Sequence, residues 1–278
     1  MNNSLKNSFK RVGAHVSSAL KLYMSPQTST SSVYEFVDRL VPYDLGIPLI
    51  RVGGNSDGGY LVPDVLDGIQ CCFSPGVADT ASFESDLHQR GIKSFLADFS
   101  VDGPPSGLPE CDFVKKFVGA ANSDSTMTLD HWVADKTSSE NSDDMILQMD
   151  IEGAEYETIL ATSTETLKRF RLIVLELHKL NHLDNRLYFR MVDAAMSKLG
   201  EHFDVAHLHP NYVGGLTRIA GLDVPRVAEI TLLRKDFVVK KSPIGTLPNP
   251  LDVQNAATQK EVYLPEYWWK PGSLKDAA

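Results

Sequence analysis

Apolar residues in this chain collect into short runs, and stretches of helical period separate those runs. Seven runs read as strands: 69–73 (IQCCF), 93–98 (KSFLAD), 113–119 (FVKKFVG), 145–150 (MILQMD), 171–178 (RLIVLELH), 203–210 (FDVAHLHP) and 227–235 (VAEITLLRK). Between them, 80–91, 128–136, 154–163, 164–170 and 185–200 carry apolar residues three and four apart, the spacing of an amphipathic helix. Thr80 is the expected N-cap of the first of these helices, and Gly91 and Gly200 are expected stops. Strands that alternate with helices specify an α/β fold with a parallel, doubly wound sheet. The last two strands are joined through a Gly-rich excursion at 211–226 with no long helix, so they are expected as an antiparallel pair at one edge.

Upstream, Leu5, Phe9, Val12, Val16, Leu20 and Tyr23 mark one face of an amphipathic helix, which suits packing on the domain or a homodimer. A polar break at 25–32 precedes a second short helix at 33–40. Residues 49–63 (LIRVGGNSDGGYLVP) are two apolar runs around a glycine-rich turn, a hairpin signal. Four glycines around Asp57 also allow a backbone to approach a ligand closely. The tail is Pro-rich, and its aromatics at 263–269 (YLPEYWW) are expected to pack it onto the domain. This divides the chain into an N-terminal helical extension (1–47), an α/β domain (48–236) and an irregular tail (237–278).

Composition narrows the function classes. The 278 residues are 42% hydrophobic and 23% charged, with a net charge of -9. That acidity argues against a nucleic-acid backbone as partner. Three cysteines, Cys71, Cys72 and Cys111, are too few and wrongly spaced for a disulfide framework or a zinc knuckle. They read as core thiols in a reducing compartment. No signal-peptide core and no long apolar run is found, so a cytoplasmic protein without a membrane span is expected.

The chemistry gathers at strand ends. In 145–160 (MILQMDIEGAEYETIL) a buried run ends on Asp150 and turns through Gly153 into a helix. Ligands of open α/β sheets bind at the carboxyl ends of the strands. Gly76 follows the first strand, and Asp98 closes the second twenty-two residues later, the place of an acid that accepts from ribose hydroxyls. The turn SPGVADTASFE is not GxGxxG, and its proline removes an amide donor. A nicotinamide-dependent oxidoreductase is therefore disfavoured, and a nucleoside without phosphates fits better.

The set SPGVADTASFE, FLAD and LQMDIEGAE resembles the FkbM-like S-adenosylmethionine-dependent methyltransferases, and DGGYLV resembles the branch with a DGGY element before the first strand. The resemblance spans about 51–236. It implies a Rossmann-like seven-stranded methyltransferase sheet, mostly parallel with an antiparallel edge pair and helices on both faces. It also implies O-methylation of a sugar, glycan or related secondary metabolite. By the same resemblance Ser74, Gly76 and Asp79 form the cofactor turn, Asp98 is the ribose acid, and Phe99 and Ala120 border the adenine. Asp57, Gly59 and Tyr60 reach towards the methionine end. Many relatives start the turn with an acid where this chain has Ser74, so Asp57 or Glu84 is the expected partner of the methionine ammonium.

Transfer to a hydroxyl requires removal of its proton by a base, or a metal that acidifies it. Residues two apart share a face of a strand, so Glu176 pairs with His178 and His207 with His209. His178 is the expected base, with Asp150 as orienting acid and His182 as the loop alternative. If the strands align, Asp150, His178 and His209 instead form a divalent-cation site, with magnesium as the candidate. Glu152 and Glu155 are expected to neutralise a helix start. The competing class is a non-catalytic nucleoside-binding relative that serves as a partner subunit.

Overall fold

The computed structural model describes residues 26–55, 58–77, 80–106, 108, 111–137, 144–211, 214–253 and 262–276. The amphipathic stretch at 5–23, Asp57 and Asp79 lie outside these.

The first described helix is α1 (Thr30–Arg39), capped by Ser29, whose side chain accepts from Ser32 N. A hairpin follows, β1 (Leu49–Val52) and β2 (Tyr60–Pro63), with Leu49 opposite Pro63 and Val52 opposite Tyr60. The α/β alternation then runs β3 (Cys71–Pro75), α2 (Ser82–Gln89), β4 (Lys93–Ala97), β5 (Asp112–Val114), α3 (Leu129–Lys136), β6 (Met145–Met149), α4 (Glu155–Ala161), α5 (Thr164–Leu167), β7 (Phe170–Leu177), α6 (Arg186–His202) and β8 (Phe203–Pro210). A small hairpin, β9 (Leu216–Ile219) and β10 (Leu222–Pro225), leads into β11 (Ala228–Arg234).

The sheet has seven strands in the order β8-β11-β7-β6-β3-β4-β5. The five from β5 to β7 are parallel. β11 runs antiparallel to both neighbours, inserted between β7 and β8. The edge pair is therefore antiparallel, as its missing crossover helix predicts. Because β3, β4, β6 and β7 are parallel, their last residues, Pro75, Ala97, Met149 and Leu177, lie along one edge of the sheet.

Alternation of side chains sends two cores to opposite faces. Phe73, Leu147, Met149, Ile173 and Leu175 face α3, α4 and α6, and this core also takes in Phe36 of α1 and Trp268 of the tail. Cys72, Ile146, Leu172, Val174 and Leu233 face α2 and the β1–β2 hairpin. Both faces are thus covered, the condition a parallel sheet requires. Trp268 Nε1 donates to Asp223 O at 2.9 Å, fixing the tail onto β10.

Three local features differ from the sequence reading. The run at 113–119 splits: β5 joins the sheet, whereas Phe117–Val118 pairs with Thr126–Met127. The break falls at Lys115 and Lys116, where Lys116 N turns back onto Val114 O. Thr80 does not cap α2; the helix starts two residues later, and Ser82 Oγ donates to Gly58 O at 2.9 Å, tying it to the hairpin. Gly200 does not stop α6, which continues to His202 until buried Phe203 enters β8.

Candidate active site

The site is built where the turn after β3 meets the turn after β6. Gly76 has φ +88°, and a Cβ there would stand 1.6 Å from the carbonyl oxygen of Asp150. Asp150 N donates to Pro75 O at 3.2 Å, so the two strand ends are held backbone to backbone. Beyond Asp150 the chain turns through Glu152 at φ 57° and Gly153 at φ 104°. A non-glycine residue in that region is uncommon and carries strain of about 1–3 kcal/mol. The turn is stabilised by Glu155, whose Oε1 accepts from Ile151 N and Gly153 N.

A cleft of roughly 170 Å³ opens over this junction, lined among others by Gly58, Tyr60, Gly76, Glu84, Gln148 and Asp150. Its floor is a buried polar chain. Ser74 Oγ donates to Glu84 and lies 2.6 Å from Gln148 Oε1, and the Gln148 amide reaches Tyr60 Oη at 3.4 Å. Ser74 has a single hydroxyl proton, so Glu84 and Gln148 compete for it. Burial pushes the Glu84 carboxyl up from its ordinary range. Tyr60, Ser74, Glu84 and Gly76, singled out separately in the sequence, thus meet in one place; Gly59 adjoins them beside Arg51, where an added Cβ would meet Gly54 O.

Asp98 follows β4. Its Oδ1 accepts from Ser100 N at 2.7 Å and Ser100 Oγ at 2.6 Å, an arrangement that fixes the carboxylate rotamer. Phe99 is 40% exposed and its ring packs on Phe117 at 5.2 Å. Ala120 is exposed in the turn between Phe117–Val118 and Thr126–Met127. An exposed aromatic pair beside a fixed carboxylate suits a flat heterocycle and a diol.

His178 lies just past β7 and is 9% exposed. Its carbonyl accepts from Tyr156 Oη at 2.8 Å and Tyr188 Oη at 3.2 Å. Its Nδ1 is 3.0 Å from Oε1 of the fully buried Glu155 and 3.2 Å from Glu176 O. Both are acceptors, so Nδ1 carries the proton and Nε2 faces the acids beyond it. The carboxylate that orients the ring is therefore Glu155. Nε2 lies 3.5 Å from Glu152 and 3.8 Å from Asp150 Oδ1. Burial alone would lower the imidazole, but the bond to Glu155 and the charges of Glu155, Asp150 and Glu152 raise it.

Asp150 and Glu176 meet side chain to side chain. Burial and then the Asp150 charge push the Glu176 carboxyl up to about 10, and burial raises Asp150 as well. Asn211 Nδ2 donates to Glu176 Oε1. Ligand atoms of Asp150, Glu176 and His178 all fall within 4.8 Å of one another. His209 does not join them. It faces Glu229 in the ladder, and its Nδ1 is 3.5 Å from Asp252, whose other oxygen is 3.0 Å from His207 Nε2. The cation set read from the sequence is corrected in one member: Glu176 stands where His209 was expected, because β11 is inserted between β7 and β8. His182, in a 3-10 turn, is exposed, its ring 5.9 Å from Tyr188.

The sequence gives Glu155 only a helix-start role and leaves Gln148 and Asn211 unmarked. A usable signal exists for Gln148, which shares a strand face with Asp150. Asn211 lies just beyond a strand whose neighbour is not its chain neighbour, so nothing local marks it.

Residues 73–203 match the methyltransferase FkbM domain family. No curated protein matches the chain. Two solved structures that resemble it are both magnesium protoporphyrin IX methyltransferase from Synechocystis PCC 6803, one with bound SAH and one with bound SAM. They are 13% and 12% identical, with TM-scores of 0.32 and 0.30; each match covers 61% of this chain, and 76% and 72% of theirs.

Proposed function

We propose, from the premise that residues 73–203 carry a methyltransferase FkbM domain, that this protein transfers the methyl group of S-adenosylmethionine to a hydroxyl of a sugar, glycan or related secondary metabolite. The observation that carries the reading is the convergence at one sheet edge of Gly76, Asp98 and the Asp150–His178 pair, all inside the matched segment. Asp98 receives the ribose diol, with Phe99 and Ala120 beside the adenine, while Tyr60 and Glu84 border the methionine end. Ser74 and Gly76 shape the turn between them. The charged side chains that line the cleft, Glu84, Asp150 and Glu152, are all acids, which favours an uncharged acceptor over one bearing phosphate. Three free thiols, two of them buried, suit a reducing cytoplasm.

In the transfer, a lone pair of the acceptor oxygen attacks the methyl carbon, the carbon–sulfur bond breaks, and the sulfonium leaves as a neutral thioether. The hydroxyl proton must leave as the new bond forms. His178 Nε2 and Asp150 are the groups that promote this, either by taking the proton or by holding a cation that acidifies the hydroxyl. The enzyme's main contribution is to hold donor and acceptor in line at near-attack distance.

The test combines binding and product. Thermal-shift titration should show stabilisation by S-adenosylhomocysteine and none by NAD, since only ligands of the folded state raise its melting point. Mass spectrometry on a panel of sugars should then find an acceptor heavier by one methyl in place of one hydrogen. Stabilisation by NAD alone would overturn the reading.

A further inference from the structure

Three side chains at the ends of β6 and β7 are prepared in the way metal ligands are prepared. Asp150, Glu176 and His178 offer two carboxylate oxygens and one imidazole nitrogen within 4.8 Å of one another. We propose that this trio is a divalent-cation site of the magnesium or manganese class, and that the cation binds the acceptor hydroxyl. The inference rests on the methyl-transfer reading for its purpose, though not for its geometry.

The supporting shell carries the argument. A metal-bound histidine almost always donates its other ring N–H to a carboxylate or carbonyl, which fixes the tautomer and aims the free nitrogen. Here His178 Nδ1 meets both: Glu155 Oε1 at 3.0 Å and Glu176 O at 3.2 Å. Its backbone is held as well, by Tyr156 and Tyr188. Ligating carboxylates are themselves hydrogen-bonded in such sites; Glu176 receives Asn211 Nδ2. By contrast, Asp150 Oδ1 is buried and has no hydrogen-bond partner among the described residues. No lysine or arginine forms an ion pair with Asp150 or Glu176 among those residues. Two carboxylates brought together with no lysine or arginine beside them are costly in a protein interior, and a bound cation lowers that cost.

The donor set selects the ion. Two carboxylate oxygens beside a single imidazole favour hard cations such as magnesium or manganese, and the absence of thiolate disfavours iron–sulfur chemistry. Three protein ligands leave about half of an octahedral shell for water and acceptor oxygen. The site adjoins the cleft that Asp150 itself lines. A hydroxyl bound there would be acidified in place, and its proton would pass to water as the oxygen attacks the methyl carbon.

Manganese is the probe, because it is paramagnetic. Full-length protein, stripped with chelator and held with S-adenosylhomocysteine, should bind one Mn²⁺ per chain in calorimetry. Pulsed electron paramagnetic resonance should show coupling to a histidine nitrogen, a readout that needs no variant. Glu176→Gln and Asp150→Asn should each weaken binding at least tenfold while keeping the unfolding midpoint measurable. Glu155→Gln, which touches no ion, should weaken it by about 10–100-fold through the histidine. Failure of Mn²⁺ to bind, or binding without nitrogen coupling, overturns the site. If S-adenosylhomocysteine binds and Mn²⁺ does not, the methyl-transfer reading survives alone; if only Mn²⁺ binds, the cation site survives and that reading falls.

Discussion

The backbone of Asp150 lies against Gly76 so closely that a Cβ on the glycine would fall 1.6 Å from the aspartate's carbonyl oxygen. Turn and acid thus come as one unit, and the requirement for glycine is both steric and conformational, since φ is +88°. Gly76→Ala should cost roughly 2–5 kcal/mol, combining left-handed strain with overpacking against backbone that cannot rotate away. Urea unfolding measures this directly. A wild-type midpoint for the variant would mean the two turns are not in contact.

Asp98 makes a different kind of prediction. Its carboxylate is organised by Ser100, two residues further along the chain, so these bonds are local. Asp98→Ala should cost no more than the ~0.5–3 kcal/mol of an ordinary substitution and leave a measurable unfolding transition. It should nevertheless abolish calorimetric binding of S-adenosylhomocysteine. Undiminished affinity would remove Asp98 from the cofactor site.

How much of the fold and site is legible in the sequence follows from where each interaction lies in the chain. The β3–α2–β4 unit, with Gly76 and Asp98 at its strand ends, is local and obeys a periodicity, so its place in the sheet is legible. The β6 strand and its acid are legible for the same reason. The insertion of β11 between β7 and β8 is not, because strand order depends on pairings between distant segments. That one insertion separates His209 from Asp150, while Glu176 owes its place beside Asp150 to the direct pairing of β7 with β6. Glu155 escapes notice because, from sequence, an acid in the first helical turn has a sufficient local explanation. Its contact with His178 crosses twenty-three residues.

The opposite edge of the sheet has its own lock. Asp144, just before β6, accepts from Arg171 at 2.6 Å and Arg234 at 2.7 Å, and both guanidinium groups lie over the Phe237 ring. Arg171 is almost wholly buried and also donates to Val65 O and Asp67 O. Asp144→Ala would leave two neighbouring cations without their shared anion, which should cost about 3–5 kcal/mol because one is buried. Chemical denaturation would report it, and a loss below about 1 kcal/mol would show the carbonyls alone suffice.

The strap at Asp252 predicts a pH dependence. Asp252 joins His207 at 3.0 Å and His209 at 3.5 Å, and also accepts from Asn249 N at 2.7 Å; Arg51 and Glu229 are the other charges nearby. Burial would raise the Asp252 carboxyl, but the two histidines hold it well below its ordinary 3.8. Burial would lower His209, yet Asp252 and Glu229 raise it above its ordinary 6.5, against Arg51. A depressed carboxyl stabilises the fold above its unfolded value and loses that as pH falls through the folded one. A raised histidine stabilises fully below its unfolded value and loses that as pH rises through the folded one. The two windows overlap between 3.8 and 6.5, where the strap should be most secure. Asp252→Asn should cost about 3–5 kcal/mol there, since it leaves buried imidazolium unpaired, and less as pH rises through the raised folded value of His209. Denaturation of both proteins at about pH 5 and about pH 8 decides the matter. An equal cost at the two pH values would show that the strap is held by packing and by Asn249, not by the histidine charges.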